Sequence, residues 1–361
     1  MKKILTLVLL TLVLGVSGIA IWVYGSLRAP VHHDKSNQYI DISRGSSPTA
    51  IMRKLAAAGV IRNEWPLILY IRLTGEGARF KAGEYRFPSP ISPLAVFDKL
   101  KAGEERVIRL TVIEGWTRWD IARAMIQIPE LQLDDIDNAL ELMNDVSLIK
   151  DLDPAAENLE GYLYPDTYEL PDDVEPSAVI ATMVKRFRTA WKPEWSAKAE
   201  SLKISPRDTV TIASLIETEA KLPSERPLIA SVIYNRLVKD MPLAIDSTVI
   251  YAAKLEGKWR NDGKVYKSDI ERRSPYNTRL KAGLPPGPVA SPGVSSLVAA
   301  LNPAATDYLF YVREPSRNDG AHNFYNNEKD FYLGVQALRN WEHQRDLENA
   351  KRKVQESNGS R

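Results

Sequence analysis

The chain has 361 residues, 44% hydrophobic and 26% charged, which is an ordinary globular balance with room for an anchor and two domains. Its net charge of +2 makes no general case for nucleic-acid binding. The absence of cysteine excludes disulfides, thiolate nucleophiles, Cys-based zinc sites and a lipid-modified N-terminal Cys. The four histidines, His32, His33, His322 and His343, form no HExxH pattern, and no Gly-x-Ser-x-Gly elbow occurs. Neither a cofactor nor a catalytic metal is therefore expected.

Ile4 to Leu27 carries no charge, which is long enough for a helix crossing the hydrocarbon core. Lys2 and Lys3 precede it and favour a cytoplasmic N-terminus, with Trp22 and Tyr24 at the level of an aromatic belt. A cleaved signal peptide is the alternative, but the run is long for one and no small-x-small site follows. The expectation is a single-pass anchor over 1–27 that contacts the bilayer through 4–27, with the rest on the outer side. Residues 28–37 read as a tether.

Residues 38–107 read as a small α/β module within an overall α+β chain. Tyr39–Ile42 suits a strand, and Ser47-Pro48 starts a helix that stops at Gly59. A second helix is expected near Glu64–Leu73, a turn and strand over 82–87, and a third helix over about Pro93–Lys101. Ile42-Ser43-Arg44-Gly45 with Ile51 and Leu55 recurs as Val112-Ile113-Glu114-Gly115 with Ile121 and Met125. Strand, glycine turn and amphipathic helix is the layout of a LysM-type glycan-binding module, and a purely structural role remains open.

Residues 108–345 form the larger, catalytic domain, followed by a charged tail over 346–361. An aromatic loop spans Leu159–Tyr168, and helices are expected near 176–191, 207–221 and 225–239. Asp246-Ser247-Thr248 can cap a helix through Ala253. Five prolines and three glycines over 274–293 exclude regular structure there. Two strands are expected at Tyr308–Val312 and Ala321–Tyr325, with a terminal helix from about Glu328.

Within the 207–221 helix, Glu217 and Glu219 stand two positions apart and so point about 200° apart. Ile212, Leu215 and Ile216 share the face of Glu219, while Glu217 lies with Val210 and Ala213. A carboxyl beside an apolar stripe is raised in pKa and suits a general acid. The structural alternative is a Glu at the margin of the core, paired to Arg226 or Arg236. Asn235, Asp246, Tyr276, Asn277 and His322 could orient sugar hydroxyls, and Tyr164, with Tyr162 and Tyr168, could stack on sugar faces. Each has a structural alternative, since buried Asn often ties loops to helices and Tyr is often core.

Several segments together resemble the YceG-like endolytic murein transglycosylase family. They include Lys81-Ala82-Gly83-Glu84-Tyr85-Arg86-Phe87, Glu160-Gly161-Tyr162-Leu163-Tyr164-Pro165-Asp166-Thr167-Tyr168 and Ala213-Ser214-Leu215-Ile216-Glu217-Thr218-Glu219. Ser224-Glu225-Arg226, Tyr234-Asn235-Arg236, Asp246-Ser247-Thr248, Ser274-Pro275-Tyr276-Asn277-Thr278 and Gly283-Leu284-Pro285-Pro286-Gly287 follow in order. The resemblance implies a LysM-like domain and a catalytic glutamate at Glu219. It further implies cleavage of the MurNAc–GlcNAc β-1,4 bond of nascent peptidoglycan, leaving 1,6-anhydroMurNAc ends and terminating strand elongation. Thr218 departs from the Lys expected between the glutamates. Two rivals remain: a hydrolase using Asp246 or Glu217 as a second carboxylate, and a non-catalytic scaffold that binds glycan and recruits cell-wall synthases.

Overall fold

The computed structural model describes residues 2–76, 80–103 and 107–359, so Met1 and the last two residues of the expected tail lie outside it. The chain divides into two compact units, Met1–Ile108 and Arg109–Arg361.

The first unit opens with helix α1 (Lys2–Arg28), of which Leu9–Arg28 is long and apolar enough to cross a membrane. Strands β1 (Ile40–Ile42) and β2 (Gly83–Tyr85) pair antiparallel, with Ile40 opposite Tyr85 and Ile42 opposite Gly83. Between them run α2 (Pro48–Ala57) and α3 (Trp65–Thr74), and α4 (Pro93–Ala102) follows. Ser47 and Ser92 cap α2 and α4 by accepting from the backbone N–H three residues on, and each cap is followed by Pro at the first helical position. Met52, Leu55, Leu67, Phe87, Phe97 and Leu100 fill the core between these elements.

The segment expected as a tether is instead partly built into this core. Leu27 is buried, and Val31 exchanges two backbone hydrogen bonds with Ile91 (2.8 and 3.1 Å). The His33 amide donates to the Ser89 hydroxyl at 2.9 Å. Within 28–37 it is Val31 and His33 that dock, just after buried Leu27 at the end of α1.

The second unit begins on β3 (Val107–Thr111), paired with β4 (Thr167–Pro171). The sequence repeat is also structural: Gly45 and Gly115 both take left-handed backbone, φ 82° and 81°, between a strand and a capped helix. Helices α5 (Arg118–Met125) and α6 (Ile136–Leu142) precede β4. Helices α7 (Pro176–Ala190), α8 (Pro193–Ser201), α9 (Pro206–Glu219), α10 (Arg226–Val238), α11 (Asp246–Leu255), α12 (Lys267–Ile270) and α13 (Val294–Leu301) follow it. Hairpin β5 (Phe310–Arg313) and β6 (His322–Tyr325) leads into α14 (Glu328–Gly359).

Helix α9 is the centre of this unit. Every residue from Thr209 to Ile216 is buried, and α8, α10, α11 and α13 all pack on it. Ser205 and Asp208 form a reciprocal capping box at its start. At its other end Ala220 leaves helical conformation, so Glu219 is the last helical residue. The expected amphipathic stripe is thus exceeded, because both faces of α9 are buried. Apolar neighbours alone do not separate Glu217 from Glu219.

Candidate active site

The two glutamates differ in their partners. Glu217 accepts from the Arg226 guanidinium at 2.9 Å and from the Gly293 backbone N–H at 2.8 Å, with 5% of its side chain exposed. Arg226 in turn donates from Nε to the Ser296 hydroxyl at 3.0 Å. The Glu114 carboxylate lies against Gly293, where a Cβ would have to displace it. Burial, then the nearby Glu217 charge, raises the pKa of Glu114. Arg226, considered as a partner for Glu219, serves Glu217. Arg236 donates to the carbonyls of Leu309, Pro242 and Leu243.

Glu219 sits at the C-terminus of α9 and keeps partial exposure. Its Oε2 accepts one hydrogen bond, from the Tyr311 hydroxyl at 2.8 Å. Burial raises its pKa and outweighs the opposing effect of that hydrogen bond. The Asp246 charge raises it further, while His322 and Arg279 pull it down. The negative end of the α9 dipole also disfavours a carboxylate there. A protonated carboxyl is therefore retained to higher pH than usual, as a general acid needs.

Around Glu219 the fold gathers Tyr311, Asp246, Arg279 and His322. Asp246 pairs with Arg279 through Nε and Nη2, at 2.9 and 2.5 Å, and remains 53% exposed. It does not cap α11 as expected: Ile245 holds the cap position without a side-chain bond, and Asp246 is the first helical residue. Thr218, at the departure from the family pattern, donates to the Leu215 carbonyl and contacts the Ser247 hydroxyl at 2.8 Å, tying α9 to α11.

The hairpin supplies the opposite wall. Tyr311 pairs with Phe324 and Arg313 with His322, so these four side chains share one face of the β5–β6 ribbon. Phe310 points the other way and stacks on Phe331 of α14 at 5.0 Å. The His322 ring meets Tyr311 edge-on at 5.4 Å. Buried Glu225 holds His322 twice, by its backbone N–H and by Nδ1, each at 2.8 Å.

The other sequence candidates have partners of their own. The Asn235 amide donates to the carbonyls of Thr306 and Tyr308, both at 2.9 Å, fixing the approach to β5. Asn277 is fully buried and donates to the carbonyls of Ile270 and Arg272, while its Oδ1 accepts from the Arg279 amide. It shapes the turn that carries Arg279. Tyr276 packs on Tyr251 at 4.8 Å and lines a small cavity with Glu160 and Arg207.

Tyr164, expected to stack on sugar faces, is packed among protein side chains. It is buried, with the Arg186 guanidinium 5.5 Å over its ring and Phe187 at its edge. Tyr162 and Tyr168 are core residues too, bonded to Asp153 and to the Tyr164 carbonyl. A separate buried carboxylate, Glu160, is pushed up to about 7 by desolvation, against the Arg118 amide and the Arg118 and Lys254 charges.

Tyr311 and Arg279 were not singled out from sequence, and Glu225 only as part of the Ser224-Glu225-Arg226 segment. Tyr311 had a readable signal: period two in its strand separates it from core-facing Phe310. Arg279 had none, because its place depends on an irregular turn.

Comparisons with known proteins identify the family. The model of the YceG-like family matches residues 40–337. The chain is 37% identical over 310 residues to a Bacillus subtilis protein named endolytic murein transglycosylase, covering 81% of this chain and 83% of that one. It is 28% identical over 314 residues to a Streptococcus pneumoniae protein of the same name, covering 81% of this chain but only 56% of the streptococcal one. The crystal structure of a YceG-like protein from Listeria monocytogenes aligns with a TM-score of 0.56 and 30% identity, over 83% of this chain and 99% of that one. With the family match spanning most of its length, this chain belongs to the YceG-like family.

Proposed function

We propose that this chain is a lytic murein transglycosylase that cuts the MurNAc–GlcNAc β-1,4 bond of nascent glycan strands and so ends their elongation. The observation that carries the reading is the buried, pKa-raised carboxyl of Glu219, which among the described residues accepts one hydrogen bond, from Tyr311. Two relatives with the name endolytic murein transglycosylase support it.

In the first step protonated Glu219 gives its proton to the glycosidic oxygen, and the bond from that oxygen to C1 of MurNAc breaks. In the second step the Glu219 carboxylate takes the proton of the C6 hydroxyl of the same sugar. That oxygen bonds to C1, closing the 1,6-anhydro ring. Glu219 ends protonated and no water is consumed. This cycle needs one carboxyl, whereas the usual glycosidase uses two. The nearby alternatives are already engaged: Glu217 by Arg226, Glu225 by His322 and Asp246 by Arg279.

The remaining parts of the reading are an anchor over residues 4–27 in the cytoplasmic membrane, with the N-terminus inside, and a LysM-like glycan-binding role for 38–107. The helix pair α2–α3 between antiparallel β1 and β2 supports the latter.

Digestion of purified sacculi followed by mass spectrometry tests the chemistry. Anhydro-muropeptides are expected from the wild type and not from Glu219→Gln. Reducing-end products would instead identify a hydrolase, with Asp246 as the first residue to test as its second carboxylate. Unchanged digestion by a folded Glu219→Gln would remove this residue from the mechanism.

A further inference from the structure

The first unit carries an apolar helix face that its own core does not use. Helix α3 reads Trp-Pro-Leu-Ile-Leu-Tyr-Ile-Arg-Leu-Thr, with Arg72 its one charge. Leu67, Ile68 and Ile71 face the core and are buried. At 100° per residue, Trp65, Leu69 and Leu73 fall within about 80° of one another on the opposite side. They are 57%, 37% and 78% exposed. Single exposed leucines are ordinary on a protein surface. A helix apolar on all sides is not, and it belongs in an interior or against lipid.

Helix α1 identifies what covers that face. Val23 and Leu27 of α1 pack in the same core as Leu67, Ile68 and Ile71, and α3 lies directly against α1. The apolar span therefore enters the small unit as one packed body, without a linker between them. Ile4–Leu27 is an uncharged run of about 36 Å of helix, a little more than the roughly 30 Å hydrocarbon core. Val23 stands about 6 Å before the end of that run, near the edge of the core. Whatever packs on Val23 is held at the boundary between acyl chains and headgroups. Beside it, Ile21, Trp22, Pro66, Pro93 and exposed Arg62 line an apolar groove of about 530 Å³.

We propose that α3 lies in the interface of the membrane that α1 crosses, with Trp65, Leu69 and Leu73 dipping into the acyl boundary. Arg62 and Arg72 reach the lipid phosphates from there, as basic residues flanking an interfacial helix do. The small unit is then held flat on the bilayer rather than hanging from a stalk. This rests on the anchor reading of residues 4–27 and is independent of the chemistry at Glu219.

The natural absence of cysteine makes the test direct. Single-cysteine variants of the full chain at Val16, Leu69 and Leu73, with Arg53 on the polar face of α2 as control, are spin-labelled and reconstituted in phosphatidylcholine–phosphatidylglycerol vesicles. All four sites are exposed, and circular dichroism checks the fold. Labels at 69 and 73 are expected to favour collision with oxygen over a water-soluble nickel complex several-fold relative to 53, as the label at 16 does. A lipid-exposed 16 with 69 and 73 as aqueous as 53 would overturn the proposal and leave the anchor standing. An aqueous label at 16 would remove the anchor and the proposal together. Shielding of 69 and 73 from both reagents, at high and low protein-to-lipid ratio, would mean that protein covers this face and would also overturn it.

Discussion

The last turn of α9 presents two carboxylates to two different regions. On one side Glu217 is sealed between Arg226 and the Gly293 amide, with Ser296 holding the far end of the guanidinium. On the other side Glu219 faces the β5–β6 ribbon and keeps a single hydroxyl partner and some exposure. Both sit at the end of a buried helix, so burial is common to them. The difference lies in compensation. Glu217 receives a full countercharge and two donors, which makes it a fastener between α9, α10 and the start of α13. Glu219 receives too little to offset its desolvation, and so it retains a proton that it can give away.

The largest expected contrast is in activity. Glu219→Gln should lose about 10²- to 10⁴-fold in glycan cleavage, the usual weight of a general acid, with its melting temperature nearly unchanged. Glu217→Ala should do the reverse. Breaking a buried ion pair from one side leaves an uncompensated charge and costs about 3–5 kcal/mol, read by denaturant unfolding. The folded fraction should cut glycan at the wild-type rate, and adding Arg226→Met should restore part of the lost stability. If Glu217→Ala lost activity while keeping its stability, the division of labour between the two glutamates would be reversed.

Two smaller effects follow from the electrostatics of Glu219 and have opposite signs. The acid step needs the protonated form, so activity falls as pH rises through the Glu219 pKa. The Tyr311 hydroxyl stabilises the charged form. Tyr311→Phe should therefore raise that pKa and move the alkaline limb of the rate profile to higher pH, by up to the worth of one hydrogen bond to a charged group, about 1.5–3 kcal/mol. Asp246 stabilises the protonated form instead. Asp246→Asn should move the same limb to lower pH, and by less, because Asp246 is half exposed and paired with Arg279. Both limbs are read from the pH dependence of turnover on soluble glycan strands. Parallel shifts in the two variants would mean that Glu219 is not the group titrating.

Much of the scaffold could be read from local pattern. Ser47-Pro48, Ser92-Pro93 and Ser205-Pro206 announce helix starts, because the cap bond and the proline φ are decided within four residues. The hairpin, the terminal helix and the apolar α1 were also legible. Helices α6, α8, α12 and α13 were not. α8 begins only three residues after α7 ends, and α13 directly follows the proline-rich turn. The docking of residues 27–33 was missed because two apolar positions make no periodic signal.

At the site, sequence alone nominated a pair of glutamates on opposite sides of one helix, and the resemblance to a known family pointed to the second. Asn235, Tyr276, Asn277 and Tyr164 were nominated by residue type; in the fold Asn235 and Asn277 tie loops, Tyr164 is packed, and Tyr276 lines a small cavity. Residue type says what a side chain can bond to. Its partner is decided by whichever chain segment the fold brings up, 71 and 73 residues away for Asn235 and 92 for Glu219. The sequence by itself determined that α9 would form, where it would start and that Glu217 and Glu219 would diverge, since these depend on helical pitch and neighbouring residues. Only the tertiary structure decided that Arg226 and Gly293 close on Glu217 while Tyr311, Asp246, Arg279 and His322 surround Glu219. That choice sets which carboxyl is paired with an arginine, and it leaves Glu219 with a raised pKa, because desolvation and countercharge act through space.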